Sequence, residues 1–288
     1  MHTLTIVGVG LLGGSIGLAT KKRGLAKIVR GVGRSQDTLD RARELGAIDE
    51  TSLDLASAAA ASELIVLCTP VDRIAEQVME MVPHCRPGTL ITDVGSTKGT
   101  IVQAVEDFLA PRAEDSSSAG ADVHFIGSHP LAGSEKQGSQ FADANLFQNR
   151  WTIVARTART DVTALDRVMT FWQELGARVR VMDPAEHDRA LAMTSHLPHL
   201  LAAALAGILP MEWNELTAGG FRDTTRIAAG DVELWNAIFT HNRQALLAAL
   251  RPFTTRLEAF HQALETSDWT AVKRLLTQAK KIRDGLNG

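Results

Sequence analysis

Tyrosine is absent from the 288 residues, and cysteine occurs only twice, as Cys68 and Cys85. Without tyrosine, no phenol can act as a catalytic acid. The two cysteines have no metal-type spacing, and Cys68 lies in an apolar run, where a buried and unreactive thiol is the ordinary finding. Because cysteines are few and no secretory leader pattern is present, we expect a cytoplasmic protein.

A strong charge of either sign and a long hydrophobic run are also missing. Lysine and arginine number 30 against 33 aspartates and glutamates, which gives a formal net charge of −3. We therefore expect neither nucleic acid nor a membrane as a partner. The longest aliphatic stretch, residues 200–209, has about half the length of a membrane span. An anionic substrate would need a local cluster of positive side chains.

Short β-branched runs alternate with helical stretches as far as residue 182. The runs predicted as strands are residues 4–9, 28–32, 64–69, 90–94, 125–128, 151–155 and 179–182. Periodic segments between them, such as residues 71–81, are predicted as helices. This alternation is typical of a parallel-rich sheet covered on both faces, and it predicts an α/β domain over residues 1–182. The polar, low-complexity segment 111–122 is predicted to be a surface loop.

The pattern changes at Asp183, where Asp183 and Pro184 have the residue types of a helix cap and a first helical position. From there to the end of the sequence the period is helical, with breaks expected near Pro210, the glycine pair at 219–220 and Pro252. We therefore predict a second, all-α C-terminal domain over residues 183–288.

The first predicted strand is followed directly by a G-x-G-x-x-G segment, formed by Gly8, Gly10, Leu11, Leu12 and Gly13. The first glycine permits a tight turn, the second lets the backbone approach a pyrophosphate, and the third lets helix and strand pack closely. The following helix would present its N-terminal N–H groups to the phosphates. This arrangement predicts a Rossmann-type, dinucleotide-binding N-terminal domain.

The end of the second predicted strand indicates which dinucleotide is bound. An acidic residue that holds the ribose 2′-hydroxyl would lie there, but the position is Gly33, followed by Arg34 and Ser35. With no carboxylate to repel a 2′-phosphate and an arginine able to pair with one, NADP is favoured over NAD. The alternative is an NAD enzyme in which Arg34 is solvated or stacks on the adenine. Thr69 and Pro70 are predicted beside the nicotinamide half of the cofactor.

Four further segments are rich in side chains that can take part in catalysis or ligand binding: DVGSTK at 93–98, SHPLAGSE at 128–135, SHLPH at 195–199 and GFRDTTR at 220–226. The first two follow predicted strands, at the sheet edge where open α/β sheets bind ligands. Ser96 and His129 would therefore face the nicotinamide, and a histidine can take a hydroxyl proton as hydride leaves. The alternative is that His129 caps the turn before Pro130.

The other two segments suit the binding of an anion. His196 and His199 lie three residues apart on a predicted helix and share a face, but no H-E-x-x-H pattern or third ligand supports a metal site. We therefore predict no metal. Arg222 and Arg226, if helical, project to one side and suit carboxylate recognition. The alternative for these arginines is a surface helix end held by salt bridges.

With these motifs taken together, the sequence resembles the prephenate/arogenate dehydrogenase family over nearly its whole length. The segments GVGLLGGSIG, DVGSTK, GSHPLAGSE, SHLPH and GFRDTTRIA occur in that family's order. The resemblance implies oxidative decarboxylation of prephenate to 4-hydroxyphenylpyruvate, or of arogenate to tyrosine, with NAD(P) reduction in tyrosine biosynthesis. The alternative is another β-hydroxyacid dehydrogenase of similar two-domain plan, in which a helix-borne lysine typically transfers the proton.

The resemblance also implies roles for individual residues. His129 would deprotonate the ring hydroxyl, Ser96 would contact the same hydroxyl, and Arg226 and His199 would hold the charged ends of the substrate. Further positions around the substrate are implied for Glu135, His196 and Asp223, and Arg222 would come from the partner subunit of a homodimer built through the helical domain. Prephenate and arogenate both stay open, because they differ only at the side chain, and so does inhibition by tyrosine at the active site.

Overall fold

A computed structural model describes residues 1–114, 120, 122–133, 136 and 138–286 of the chain. Glu135 and residues 115–119 and 121 of the predicted loop lie outside the described residues. The chain forms two compact units, Met1–Asn242 and Arg243–Gly288. The domain boundary after residue 182 stays a prediction.

The first unit is built on a six-stranded, entirely parallel sheet with the order β3-β2-β1-β4-β5-β6. Its strands are β1 Thr3–Val7, β2 Ile28–Val32, β3 Glu50–Ser52, β4 Leu64–Leu67, β5 Leu90–Asp93 and β6 His124–Ile126. Every residue of β1 and β4 is buried, as expected of central strands covered on both faces. The strand order changes direction between β1 and β4, and their carboxyl ends face a common edge. The predicted parallel-rich α/β sheet is confirmed.

Helices cover this sheet and supply the two halves of its core. They are α1 Leu11–Arg23, α2 Gln36–Glu44, α3 Leu55–Ala60, α4 Val71–Met81, α5 Gly99–Glu114 and α6 Val162–Glu174. Helix α4 shows why they form: Val71, Ile74, Val78 and Met81 recur at helical spacing and are all buried. The helix predicted at 71–81 is thus confirmed, whereas β3 and α3 had not been predicted, because runs of three and six residues carry little periodicity.

A second, three-stranded sheet corrects the prediction of one strand over 125–128. Strand β6 ends at Ile126, and β7 Ser128–Pro130 pairs antiparallel with β8 Trp151–Ala155, which pairs parallel with β9 Arg178–Met182. Between the two strands, Gly127 packs closely against α5, because a Cβ added there would lie 2.8 Å from Cγ2 of Val102. This change of sheet carries His129 onto β7.

The loop predicted at 111–122 is wrong over its first four residues, because α5 continues to Glu114. The guanidinium of Arg112 donates to the carbonyl oxygen of Phe108, one turn earlier, and lies 3.7 Å from the centre of its ring. These local contacts support the extra helical turn despite the polar composition.

The helical part of the first unit begins where the sequence indicates. The carboxylate of Asp183 accepts hydrogen bonds from the N–H groups of Ala185 and Glu186 at 2.9 and 3.1 Å. There follow α7 Pro184–Leu191, a π-helical turn Ala192–His196, α8 Leu197–Gly207, a 3-10 helix Met211–Leu216, α9 Gly219–Thr225, a 3-10 helix Arg226–Ala229 and α10 Val232–His241. The predicted helical character is confirmed.

The second unit is a pair of helices, α11 Arg243–Glu265 and α12 Trp269–Gly285. The guanidinium of Arg256 joins them through the carbonyl oxygen of Leu275 and the side chain of Gln278. The break expected near Pro252 is wrong, because α11 runs through it. A proline removes one helical hydrogen bond, and a helix of 23 residues keeps enough others to continue.

By length and composition alone, the helical run Pro184–Gly207 could cross a membrane, although 33% of its most apolar window is buried. One face of this run carries buried polar side chains: His187, Asp188, His196 and His199. His187, Asp188 and His196 form hydrogen bonds to other parts of the first unit, as expected of a helix packed in a protein interior.

Candidate active site

The glycine turn between β1 and α1 leaves space for a phosphate. Gly8 has φ of 90°, and a Cβ added at Gly13 would lie 2.1 Å from the carbonyl oxygen of Gly8. At Gly10, by contrast, an added Cβ would meet nothing within 4 Å. Helix α1 begins at Leu11 with no acidic side chain in its first turn, so its N–H groups remain suited to an anion. These residues fit the pyrophosphate of a dinucleotide.

The end of β2 presents the side chains that would meet the adenosine ribose. Arg34 and Ser35 are exposed, and within the described part of the chain neither side chain has a hydrogen-bond partner. A Cβ added at Gly33 would lie 3.2 Å from Cδ2 of Leu39, which leaves little room for a carboxylate at this position without a shift of Leu39. The exposed side chains of Arg34 and Ser35 are therefore free to contact the ribose end of a dinucleotide.

The residues that follow β4 lie beside the glycine turn. A Cβ added at Gly8 would come within 3.2 Å of Cγ2 of Thr69, so the two loops are in close approach. The hydroxyl of Thr69 donates to Oε1 of Gln77 at 2.6 Å, which fixes its side chain, and Pro70 precedes the first residue of α4. The structure thus brings the predicted Thr69 to the glycine turn, and Pro70 follows it at the start of α4.

A buried ion pair fixes the loop that carries Ser96. The ammonium of Lys98 contacts the Oδ2 of Asp93, and both side chains have no exposed surface. Asp93 also accepts from the N–H of Gly95 at 2.8 Å and from the N–H of Ser128 at 2.9 Å. Burial lowers the pKa of Lys98, although the carboxylate of Asp93 opposes that shift. This carboxylate therefore ties the half-buried Ser96 loop to the start of β7, next to His129.

His129 lies at the centre of a buried polar cluster. Its side chain is 8% exposed, and its Nδ1 is 2.9 Å from Nε2 of His187. Nδ1 of His187 is in turn 2.8 Å from Oδ1 of Asp188. Burial, followed by the charges of His187 and Lys98, lowers the pKa of His129 well below 6.5. The imidazole is therefore neutral near pH 7 and can accept a proton.

His196 and His199 belong to the same polar region. Asn242 joins the two parts, because its Nδ2 donates to the carbonyl oxygen of Asp188 at 2.8 Å and contacts Nδ1 of His196 at 3.0 Å. His199 stacks on Trp235 with ring centres 3.5 Å apart. Burial lowers the pKa of His196 to about 4 and lowers that of His199.

Two nitrogens of these histidines, Nε2 of His196 and Nδ1 of His199, are buried with no hydrogen-bond partner among the described residues. Buried polar atoms are normally paired, so each is able to meet a polar atom of a bound ligand.

The predicted arginines lie on a neighbouring segment. Arg222 and Arg226 are exposed, as is Asp223, and the described residues give none of them a hydrogen bond to His129 or His199. Nε of Arg222 donates instead to the hydroxyl of Thr217 at 3.2 Å. The segment that begins at Arg226 does come close to His199, because a Cβ added at Gly230 would lie 3.1 Å from Cε1 of His199.

The sequence-based prediction did not identify His187, Asp188 and Asn242, nor did it assign a role to Asp93 or Lys98. For His187 a signal was present, since the helix cap at Asp183 fixes the phase of α7 and places residues 184, 187, 188 and 191 on its buried face. That face contains a histidine and an aspartate, and a buried ionisable pair is typical of a functional site.

Comparison with known proteins identifies the family of the chain. A family model described as "Prephenate dehydrogenase, nucleotide-binding domain" matches residues 16–181, and "Prephenate dehydrogenase, dimerization domain" matches residues 183–278. A cyclohexadienyl dehydrogenase of Zymomonas mobilis is 32% identical over 97% of this chain and 94% of its own length.

Solved structures of similar fold come from the same family of enzymes. A prephenate dehydrogenase from A. aeolicus, in complex with hydroxyphenyl propionate and NAD+, has a TM-score of 0.87 and 29% identity, covering 99% of this chain and 98% of that one. A Synechocystis arogenate dehydrogenase has a TM-score of 0.81 and 32% identity, covering 99% of both chains. These relatives favour the main interpretation over the alternative of another β-hydroxyacid dehydrogenase. With family models matched from the first helix to the last, the chain belongs to the prephenate dehydrogenase family.

Proposed function

We propose that this enzyme oxidises and decarboxylates prephenate to 4-hydroxyphenylpyruvate, or arogenate to tyrosine, with reduction of NADP or NAD. The observation that carries the proposal is the buried, neutral imidazole of His129 on β7, beside the Ser96 loop. Ser128, the residue before His129, is hydrogen-bonded to Asp93 at the carboxyl end of β5, and the carboxyl edge is where a Rossmann-type sheet binds its ligands.

In this proposal His129 takes the proton of the ring hydroxyl, and Ser96 positions that hydroxyl. The bound nicotinamide supplies the hydride acceptor. Oxidation of the carbinol carbon gives a carbonyl conjugated to the carbon that bears the ring carboxylate. That carboxylate then leaves as CO2, and the electrons of the broken C–C bond pass through the ring to the carbonyl oxygen. The resulting aromatic phenolate takes back the proton held by His129. The protein's own residues hold the carbinol carbon of the substrate against the nicotinamide and keep a neutral base beside its hydroxyl.

The charged ends of the substrate are assigned to the helical segments. Arg226 binds a carboxylate, and His199 and His196 meet the side-chain end, where each offers a buried nitrogen without a partner among the described residues. Asp223 is proposed to lie around the substrate. Arg222 is proposed to act in the partner subunit's site.

The proposal extends to cofactor, assembly and location. Gly33 and Arg34 favour NADP, while NAD stays the alternative. The match to a family model described as a dimerization domain supports a homodimer built through the helical domain. A cytoplasmic location, with no nucleic-acid or membrane partner, is proposed with it.

A two-by-two assay tests the function directly. Purified protein is given prephenate or arogenate with NADP+ or NAD+, and the reduced nicotinamide is followed by absorbance. We expect reduction with prephenate, and a higher kcat/KM with NADP+ than with NAD+, because no carboxylate at residue 33 repels a 2′-phosphate. A higher kcat/KM with NAD+ would overturn the cofactor assignment. No reduction with either substrate, combined with oxidation of a simple β-hydroxy acid, would overturn the function.

Replacing Arg226 by alanine tests the anion anchor. We expect KM for prephenate to rise about ten- to hundredfold, because a hydrogen bond to a charged group contributes about 1.5–3 kcal/mol. The change in kcat should be smaller than threefold, since the carboxylate pairs with arginine equally in the ground and transition states.

Arg251→Ala serves as the matched control for Arg226→Ala, because Arg251 is also exposed but lies in α11 of the second unit. Its KM should equal that of the parent protein. An unchanged KM in Arg226→Ala would remove Arg226 from the substrate site.

A further inference from the structure

Behind His129 the structure contains a chain of two histidines and one carboxylate. Nδ1 of His129 meets Nε2 of His187 at 2.9 Å, and Nδ1 of His187 meets Oδ1 of Asp188 at 2.8 Å. His187 has no exposed surface, and Asp188 is 7% exposed. This hydrogen-bonded chain thus ends on a largely buried carboxylate.

Asp188 is held as a carboxylate by the start of α5. Its Oδ1 accepts from the N–H of Lys98 and its Oδ2 from the N–H of Gly99, both at 2.8 Å. Burial raises the pKa of Asp188, but the hydrogen bonds from His187 and these two N–H groups outweigh burial, and its net shift is downward. Gly99 has no room for a side chain here, because an added Cβ would lie 2.8 Å from Oδ2 of Asp188.

The direction of each hydrogen bond follows from these partners. A carboxylate accepts hydrogen bonds only, so Nδ1 of His187 must carry a proton. Burial lowers the pKa of His187, which is therefore neutral near pH 7, and its Nε2 must be an acceptor. Nδ1 of His129 then has to donate, and the lone pair of neutral His129 is left on Nε2.

We propose that His187 and Asp188 are positioning residues that fix the tautomer and orientation of His129, so that the lone pair on its Nε2 is available to the substrate hydroxyl. This proposal rests on the proposed function, in which His129 is the base. As Nε2 takes the hydroxyl proton, His129 becomes an imidazolium that keeps its Nδ1–H bond to His187. The positive charge then faces a neutral acceptor that is itself hydrogen-bonded to a carboxylate. No proton needs to leave the His129–His187–Asp188 hydrogen-bonded chain during the oxidation step.

Two variants of His187 separate this role from simple packing. The amide of asparagine lies near the position of Nδ1, so His187→Asn can still donate to Asp188 but cannot reach His129. The amide of glutamine extends to the position of Nε2, so His187→Gln can still accept from His129 through its carbonyl oxygen. Both replacements put an uncharged amide in the same buried place.

We expect His187→Asn to lower kcat about ten- to hundredfold with KM changed less than threefold, a loss like that seen when the partner that orients a metal-bound histidine is removed. His187→Gln should recover at least a third of the parent kcat. The control is His84→Asn, because His84 is exposed and lies after α4, away from the cluster. Circular dichroism and the Kd for NADP+ establish that each variant folds and binds cofactor.

Equal kcat in the asparagine and glutamine variants, whether high or low, would overturn the proposal. His129→Asn is assayed in parallel to separate this outcome from failure of the proposed function. If His129→Asn keeps the parent kcat, the base assignment itself is wrong. If His129→Asn is inactive while the two His187 variants are equal, only the positioning role is wrong.

Discussion

Replacing His129 by asparagine should lower kcat for prephenate by about 10²- to 10⁴-fold, the usual contribution of a general base. An amide cannot take a proton from a hydroxyl near neutral pH, whereas the imidazole is held neutral by burial and can. KM should change less than threefold, because the proton moves only in the transition state. Steady-state reduction of NADP+ at saturating prephenate measures the loss.

The pH dependence of kcat/KM supplies an internal control for that result. The pKa of His129 is lowered, so the neutral base persists to a lower pH than an ordinary histidine would allow. In the parent protein kcat/KM should stay level from pH 8 to pH 6.5 and fall only in more acidic solution. The residual activity of His129→Asn should lack that acidic decline. A variant with parent-like kcat, or with the same decline, would show that another group is the base.

The part of the site that could be predicted from sequence depends on short segments. The turn formed by Gly8, Gly10 and Gly13 is fixed within six residues by backbone geometry, and the strand before it is a run of five apolar or β-branched residues. The start of α7 was equally local, since the carboxylate of Asp183 caps N–H groups two and three residues later. Features of this kind need no knowledge of the tertiary structure.

The contacts that organise His129 are not local, and for this reason they could not be predicted. His187 lies 58 residues away along the chain, and Asp188 meets Lys98 across 90 residues. Gly127, where the chain leaves one sheet for the other, carries no periodic signal, so one strand was expected where two occur. Lys98 and Asp93 are ordinary surface residue types, and only the packed structure shows that both are buried.

The buried pair of Lys98 and Asp93 predicts a large effect on stability. Lys98→Met should lower the free energy of unfolding by about 3–5 kcal/mol, the cost of removing one partner of a buried ion pair. Methionine has an unbranched chain that can fill much of the space of lysine, so the loss reports the missing charge more than a cavity. Urea unfolding followed by circular dichroism gives the free energy.

The exposed pair of Lys21 and Asp49 is the matched control for the buried one. Their charged atoms lie 2.5 Å apart, and each side chain keeps about a third of its surface exposed. Lys21→Met should therefore cost about 1 kcal/mol or less, because solvent screens an exposed pair. If Lys98→Met costs no more than Lys21→Met, the buried pair does not stabilise the fold.

A double variant tests why Lys98→Met should lower the free energy of unfolding so much. In Lys98→Met the Asp93 carboxylate keeps its hydrogen bonds from the N–H groups of Gly95 and Ser128 but loses its counter-charge. Adding Asp93→Asn removes the uncompensated charge. The double variant should therefore lose less free energy of unfolding than the two single variants lose in sum, by about 0.5–3 kcal/mol. Strict additivity would mean that the two groups act independently. A positive coupling would mean that one charge pair holds the Ser96 loop and the strand of His129 together.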